Sequence, residues 1–299
     1  MSTVIGAEAR AESHPASDVG RTHRRTGRNT VAMTAWHAVL VVVSAAFIAP
    51  LAWMIVTSLR SSQTALTGPI LPRSFTLHAY GYVFSEVGIW RNLLNSIVVT
   101  GVAVLLTIAA STLAGYAFGR LGFWGKTATF TLLSSALFLP GVAILIPLYV
   151  ELQEIGLLGG RTGLILVYAA SGIPFSAFLM RAFFEELPWE LSEAAKTDGA
   201  SEFQIFWRVM LPLGAPGVAT VATFQIITVW NDLLLANALI AEPASRTLQP
   251  AVNSLIGQYA TDWPALTAGM TLSAAPMLIA YLLFQRWFVA GLTAGAVKS

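Results

Sequence analysis

The sequence has no cysteine and very little charge. Without cysteine the chain can form no disulfide and no thiolate metal site, and it has no cysteine nucleophile. Asp, Glu, Lys and Arg make up 11% of its 299 residues, whereas hydrophobic residues make up 56%. An average soluble domain carries about 25% charged residues, so this composition indicates an integral membrane protein.

The sequence also lacks the residue patterns of an enzyme site. Its histidines are scattered without the spacing of metal ligands, and no Ser-His-Asp set is evident. The stretch GFWGKT at 122–127 resembles a phosphate-binding loop, but the first glycine of that motif would fall on Arg120, and no strand precedes it. We therefore expect no catalytic residue, metal site or bound cofactor in this chain.

Long uncharged runs are what the sequence has in abundance. A helix needs about 20 mostly apolar residues to cross the hydrocarbon core, and six runs meet this requirement. The alternation expected of a membrane barrel is missing. The sequence predicts an all-α membrane protein with a membrane domain at 31–290 and six transmembrane helices, at about 33–59, 93–118, 128–150, 162–181, 214–239 and 265–288.

The basic residues predict how these helices are oriented. Twelve of the 17 Lys and Arg residues fall on the side of the N-terminus, so the positive-inside rule places both termini in the cytoplasm. The first apolar run starts too late and is too long for a cleaved signal peptide. We expect the Arg-rich segment 1–30 to be a disordered cytoplasmic tail, and 291–299 to be a second, short cytoplasmic tail.

Three features inside the predicted helices bear on packing and transport. Ser111, Gly115 and Gly119 recur every four residues in the second helix, which favours close approach of another helix. The fifth helix contains Trp230, Asn231 and the carboxylate of Asp232, and a carboxylate is costly at membrane depth. These three residues either line a polar translocation path, or the acid reaches the outer interface or pairs with another helix. Proline interrupts three further helices, at Pro140, Pro147, Pro174 and Pro276.

A polar segment at 182–213 separates the fourth and fifth predicted helices. It is far longer than a tight connection needs, which indicates a function. Pro188 with acidic residues after it predicts a helix start, and Gly199 after Asp198 predicts its end. Ser201 with Gln204 three residues later predicts a capping box that opens a second short helix.

This predicted helical hairpin has an apolar side, formed by Phe203, Phe206, Trp207 and Val209. So much exposed aromatic surface predicts a protein partner. The alternative is a hairpin that lies on the membrane surface. That alternative is disfavoured because the hairpin is acidic and the cytoplasmic leaflet is anionic.

The same segment resembles the EAA loop of bacterial ABC importer permeases, which implies a location in the inner membrane of a bacterial cell. The pattern of that loop is matched by Glu193-Ala194-Ala195, then Gly199, then Val209 in place of isoleucine, then Leu211-Pro212. The stretches TLHAY (76–80), NSIVV (95–99), YAFGRLGFWGK (116–126), WND (230–232) and GLTAGAVKS (291–299) are similar to permeases of the carbohydrate-uptake family.

The resemblance implies a pore-forming permease subunit without enzyme activity of its own. The hairpin would be a coupling helix seated on an ATP-binding subunit, with Glu193 in contact, Ala194 and Ala195 allowing close packing, and Gly199 making the bend. The residues expected to couple are Glu193, Ala194, Ala195, Asp198, Gly199, Phe203, Phe206, Val209, Leu211 and Pro212.

The family also implies partners and a cargo. The partners would be two ATP-binding subunits that hold ATP and Mg²⁺, a second related permease and an extracytoplasmic solute-binding protein, in a lipid membrane and without nucleic acid. The cargo would be a sugar or oligosaccharide. A polyol or a glycerol phosphate ester is the alternative cargo within the same transporter class, and an ion-driven secondary transporter is the alternative class.

Overall fold

The computed structural model describes residues 22–69, 72, 74–257 and 260–294, and its side chains from residue 33 to residue 282 within those ranges. Contacts divide the chain into a first unit that ends at Trp53 and a second unit that begins at Met54. The described residues contain helices, turns and loops, and no strand is found among them. The all-helical class predicted from the sequence is therefore confirmed for the part that the structure describes.

Thirteen α-helices follow one another along the described chain. They are α1 Thr22–Ser58, α2 His78–Ser85, α3 Ile89–Arg120, α4 Lys126–Ser135, α5 Leu145–Glu154, α6 Arg161–Glu186, α7 Glu190–Thr197, α8 Glu202–Ile205, α9 Leu211–Leu213, α10 Ala215–Asn231, α11 Leu234–Leu239, α12 Leu248–Asn253 and α13 Trp263–Ala294. A π-helical turn, Phe206–Met210, joins α8 to α9.

Several helices extend beyond the boundaries expected from the sequence. Helix α1 begins at Thr22, inside the segment 1–30 that was predicted to be a disordered tail; residues 1–21 lie outside the described residues. Helix α6 continues to Glu186, so the polar connection begins at Leu187 instead of 182. Helix α13 continues to Ala294, and the rest of the predicted C-terminal tail, 295–299, lies outside the described residues.

The predicted third helix, 128–150, is not continuous. Helix α4 ends at Ser135, a 3-10 turn spans Ala136–Phe138, and α5 begins only at Leu145. Leu139 has an extended backbone with ψ 121°, the conformation that the following Pro140 imposes on its neighbour. The proline therefore breaks the helix instead of kinking it.

The predicted fifth helix, 214–239, differs in two ways. It begins with a bend of 71° at Gly214, between Glu202–Leu213 and Ala215–Asn231. It ends at Asn231, because Asp232 takes an extended backbone with ψ 123° and α11 starts anew at Leu234. Asp232 thus lies at a break between two helices and not inside one.

Four described helices are long and apolar enough to cross a membrane: Met33–Ser58, Ile89–Arg120, Arg161–Glu186 and Trp263–Leu282. The bent pair around Gly214 gives a fifth if it is counted as one span. The chain is therefore a multi-pass membrane protein with four or five such spans among its described residues, whereas the sequence predicts six.

Helices α3 and α6 form the most extensive helix pair of the second unit. A Cβ added at Gly115 would lie 2.5 Å from the Cβ of Met180, so only glycine permits this approach. Ser111 and Gly119 lie on the same buried face of α3. The small-residue face predicted from the sequence is thereby confirmed, with α6 as the neighbouring helix.

Candidate functional site

Helix α7 opens the polar segment and stops at a glycine. Glu190 and Glu193 lie in its first turn, where the helix dipole favours negative charge. At its end Gly199 has φ +81°, a left-handed conformation that other residues adopt only with strain. The amides of Gly199 and Ala200 donate to the carbonyls of Lys196 and Ala195, both at 3.0 Å, which is the Schellman pattern of a helix end.

The return helix α8 starts with the predicted capping box. The Ser201 hydroxyl accepts from the Gln204 amide at 3.4 Å, and the Gln204 side chain accepts from the Ser201 amide at 2.8 Å. Lys196 of α7 forms an ion pair with Glu202 of α8. The ammonium group of Lys196 lowers the pKa of the Glu202 carboxyl. The two short helices thus form a closed hairpin, which we call the 190–213 hairpin.

One side of this hairpin packs on the helical bundle. Ile205, Phe206 and Met210 are buried in a cluster with aromatic and aliphatic side chains of α3 and α6. The Phe206 ring lies 5.1 Å from that of Tyr116 and 6.5 Å from that of Phe184. Phe206 therefore belongs to the core of this chain, and the expectation that it lies on the exposed apolar side of the hairpin is wrong, whereas the coupling role of the set stays a prediction. Hydrophobicity alone could not distinguish it from its neighbours Phe203 and Trp207.

The opposite side of the hairpin is open. Phe203 is 69% exposed and Trp207 50% exposed, and their rings pack edge to face at 6.0 Å. Among the other predicted coupling residues, Ala195, Val209 and Leu211 are half-buried. The remaining members of that set are exposed: Glu193, Ala194, Asp198, Gly199 and Pro212.

Two residues near the end of α3 hold the hairpin in place, and the sequence reasoning missed both. The Tyr116 hydroxyl donates to the Glu202 carboxylate at 3.0 Å. Arg120 donates to the backbone carbonyl of Leu187, and its guanidinium lies 4.7 Å from the centre of the Trp189 ring. Arg120, one of the twelve basic residues counted on the side of the N-terminus, is only 6% exposed. Their spacing of four residues on one helix is the signal that could have revealed a shared face.

A second feature of the bundle is a cleft of about 460 Å³ between α10, α12 and α13. Its polar wall contains Asn231, Gln249, Asn253 and Ser273, and Trp230 lies beside them. The Trp230 indole donates to the Ser273 carbonyl at 3.2 Å, and the Gln249 amide donates to the Ser273 hydroxyl at 3.1 Å. None of the cleft-lining side chains is ionisable, and most of the remaining lining is apolar, with Leu233, Met270 and Leu278 among it.

Asp232 does not line this cleft. Its Oδ1 accepts from the Tyr168 hydroxyl at 2.8 Å and from the backbone amides of Leu235 and Ala236 at 3.0 and 3.1 Å. The carboxylate therefore caps α11 and joins it to α6. Of the two sequence-based interpretations, the structure supports pairing with another helix for Asp232, whereas Trp230 and Asn231 do line the cleft.

Within the described residues no group of three or more His, Asp or Glu side chains is arranged to hold a metal ion. Neither the hairpin nor the cleft brings together a nucleophile and a base. The open side of the hairpin is acidic and aromatic, and the cleft is mainly apolar with a few amide and hydroxyl groups.

Known proteins with similar sequences are transport components. A family model described as "Binding-protein-dependent transport system inner membrane component" matches residues 108–294. The chain is 35% identical to the trehalose transport system permease protein of Mycobacterium tuberculosis, over 89% of this chain and 97% of that one. It is 32% identical to the diacetylchitobiose uptake system permease protein of Streptomyces coelicolor, over 88% of each.

Among solved structures, a bacterial ABC transporter involved in alginate import has a similar fold. The TM-score is 0.75 at 22% sequence identity, covering 91% of this chain and 99% of that one. The resemblance to ABC importer permeases inferred from the sequence is thus confirmed. The chain belongs to the family of inner membrane components of binding-protein-dependent transport systems.

Proposed function

We propose that this chain forms half of the translocation pathway of an ABC importer for an uncharged sugar, and that its 190–213 hairpin is the coupling element. The observation that carries the proposal is the two-sided hairpin. Its inner side is fixed to α3 and α6 by Phe206 and Tyr116, while Glu193, Phe203 and Trp207 stay exposed. Such a surface is suited to dock into a cleft of another protein.

The partners that we propose are those that the transporter family implies. Two ATP-binding subunits would hold ATP and Mg²⁺ and move the hairpins of this chain and of a second, related permease. A solute-binding protein would deliver the sugar from outside. Movement of this kind requires contacts that differ between the ATP-bound and ATP-free states.

The cleft supports a neutral cargo. Trp230 offers an aromatic side chain, and Asn231, Gln249 and Asn253 offer amides that can both donate and accept hydrogen bonds, as sugar hydroxyls require. A glycerol phosphate ester would call for Arg or Lys, the side chains that bind phosphate, and the cleft lining contains neither. The trehalose and diacetylchitobiose permeases among the relatives also favour a sugar.

An ion-driven carrier has less support. Such a carrier needs ionisable groups at membrane depth that can take up the coupling ion. The carboxylate of Asp232 already accepts three hydrogen bonds, from Tyr168 and from two backbone amides. These hydrogen bonds give Asp232 a structural role that does not involve binding a coupling ion.

We further propose that α4, the 3-10 turn and α5 make up the sixth span, interrupted near its middle. Each of the two helices holds ten residues, about 15 Å of rise, so the pair with its connection is long enough for a core about 30 Å thick. Leu132, Phe138 and Ile146 are all more than 70% exposed, which suits a lipid-facing surface. The N-terminus, the hairpin and the C-terminus would then lie in the cytoplasm.

Purification of the tagged chain from its native membranes in a mild detergent, with mass identification of what accompanies it, tests the assembly. We expect an ATP-binding subunit and a second permease. The purified complex, reconstituted with its binding protein, should hydrolyse ATP faster with trehalose or diacetylchitobiose than with glycerol 3-phosphate. Absence of an ATP-binding subunit under conditions that preserve known complexes would overturn the proposal.

A further inference from the structure

Helix α3 contacts functional elements at both of its ends. At the Arg120 end, Tyr116 and Arg120 lie one turn apart on the same side and bind the hairpin region. Tyr116 reaches Glu202 in the return helix, and Arg120 reaches Leu187 and Trp189 just before α7. The return arm of the hairpin and the segment that leads into its first arm are therefore both joined to one helix.

At the Ile89 end, Asn95 and Ser96 hold the segment 244–248. The buried Asn95 amide donates to the carbonyls of Ala244 and Arg246, each at 2.9 Å, and its oxygen accepts from Arg161 at 2.9 Å. The Ser96 hydroxyl accepts from the Leu248 amide at 2.8 Å. Leu248 is the first residue of α12, so Ser96 satisfies a backbone donor that the helix itself leaves unpaired.

Helix α12 in turn forms a wall of the cleft. Its Gln249 and Asn253 face the cleft, and Gln249 also bonds Ser273 of α13. A shift of α3 along its axis would therefore move the start of α12 through Ser96. It would also move the amides of Gln249 and Asn253 that line the cleft.

The other routes between hairpin and cleft contain breaks. Helix α10 is separated from the hairpin by the 71° bend at Gly214, and α6 and α13 contain Pro174 and Pro276. Helix α3 has 32 residues without proline, about 48 Å of continuous helix. Kinks arise mainly at prolines and similar interruptions, so α3 is the stiffest connection among these elements.

We propose that α3 is a strut that transmits displacement of the 190–213 hairpin to the cleft wall, with Tyr116 and Arg120 as positioning residues at one end and Asn95 and Ser96 at the other. The inference rests on the proposed function, because it requires ATP-binding subunits that move the hairpin. It assigns a role in coupling to four residues of α3, all of which lie outside the hairpin.

The absence of cysteine makes a direct test possible. Ser254→Cys places one thiol next to the cleft wall, on an exposed residue that does not line the cleft. The reconstituted complex is labelled with a membrane-impermeant maleimide, with and without ATP, Mg²⁺ and vanadate. We expect the trapped state to change the labelling rate about five-fold or more, the lower end of typical allosteric couplings.

In the same reporter background, Tyr116→Phe with Arg120→Gln should abolish this change, and so should Ser96→Ala. Tyr149→Phe, a substitution of an exposed tyrosine in α5, is the matched control and should keep the change. Combining Ser96→Ala with Tyr116→Phe should add nothing to the larger single effect, since residues acting through one element are not additive. A role in folding alone would lower the yield of complex without removing the ATP dependence.

The outcomes separate the two proposals. If the parent complex contains no ATP-binding subunit, the proposed function is wrong. If it contains one but the labelling of Ser254→Cys does not depend on ATP, the cleft wall does not move and the strut is wrong. If the parent responds and the variants respond equally, the strut is wrong while the proposed function stands. If the Tyr116 and Arg120 variant fails to assemble, Ser96→Ala still tests the strut, because Ser96 lies away from the hairpin.

Discussion

Asn231 and Asp232 are neighbours in the sequence with different tasks in the fold. Asn231 is exposed and lines the cleft. The Asp232 carboxylate accepts a hydrogen bond from Tyr168 and two from the first turn of α11. The change of direction between the two side chains follows from the extended backbone at Asp232, which ends α10.

Asp232→Leu should therefore destabilise the protein. It leaves the buried Tyr168 hydroxyl without its acceptor, at a cost of about 1–3 kcal/mol, and removes a helix cap worth about 0.5–2 kcal/mol. A lower Tm in detergent is the expected result. Asn231→Leu is the control, with an unchanged Tm and weaker binding of sugar to the complex. Equal stability of the two variants would contradict the assignment of Asp232.

Gly115 sets the distance between α3 and α6. Gly115→Ala would bring a methyl group to 2.5 Å from the Cβ of Met180 and 2.9 Å from the Arg181 amide nitrogen. Such overpacking costs about 1–3 kcal/mol, and we expect a lower Tm. Gly101→Ala on the same helix meets no atom within 4 Å and should leave the Tm unchanged or raise it. A loss of stability in both variants would point to a general effect of alanine in α3.

At the scale of elements, the 190–213 hairpin owes its shape to local signals. Its first helix ends because Gly199 is left-handed, and its second begins because Ser201 and Gln204 cap each other. These bonds join residues at most five positions apart, so they require no tertiary contact. The hairpin's attachment to the bundle, through Tyr116 and Phe206, is by contrast long-range.

Gly199→Val should misplace the second arm of the hairpin. A branched residue in the left-handed conformation costs more than the roughly 1–2 kcal/mol expected for an ordinary side chain, and the turn relaxes to another geometry. We expect normal membrane insertion, weaker binding of the ATP-binding subunit and loss of sugar-stimulated ATP hydrolysis. Gly122→Val is the control, since Gly122 has open space and no left-handed backbone. Full stimulation in the Gly199 variant would disprove a coupling role for this turn.

At the scale of the whole molecule, the distribution of charge predicts the orientation of the chain in the membrane. The positive-inside rule predicts that the N-terminus and the 190–213 hairpin face the cytoplasm. The connection after α3, with the fully exposed Trp124, would lie on that side, and the loop containing the exposed Leu66 on the other.

Single cysteines introduced into this cysteine-free chain can determine its orientation in the membrane. An impermeant maleimide added to intact spheroplasts should label Leu66→Cys at once, and Trp124→Cys only after the membrane is opened. The charge asymmetry is the physical reason, since basic loops are retained in the cytoplasm. The reverse pattern would place the hairpin outside the cell, where no ATP-binding subunit could reach it.

The sequence predicted the features that depend on composition and on neighbours along the chain. Charge scarcity and long apolar runs established a helical membrane protein. The spacing of Ser111, Gly115 and Gly119 predicted the close helix contact, and the hairpin motif led to the transporter family. Each is a local or compositional property, and the structure and the relatives agree with each of them.

Only the tertiary structure decided which way side chains point and where apolar runs break. Phe206 and Phe203 are alike in the sequence, yet one packs against Tyr116 and the other is exposed. The sequence was compatible with Asp232 lining a transport path. Its hydrogen bonds to α6 and α11 assign it a structural role instead. The physical reason is that burial and hydrogen bonding depend on distant residues. Residue type sets which contacts a side chain can make, and the packing of helices far apart in sequence selects which of them form.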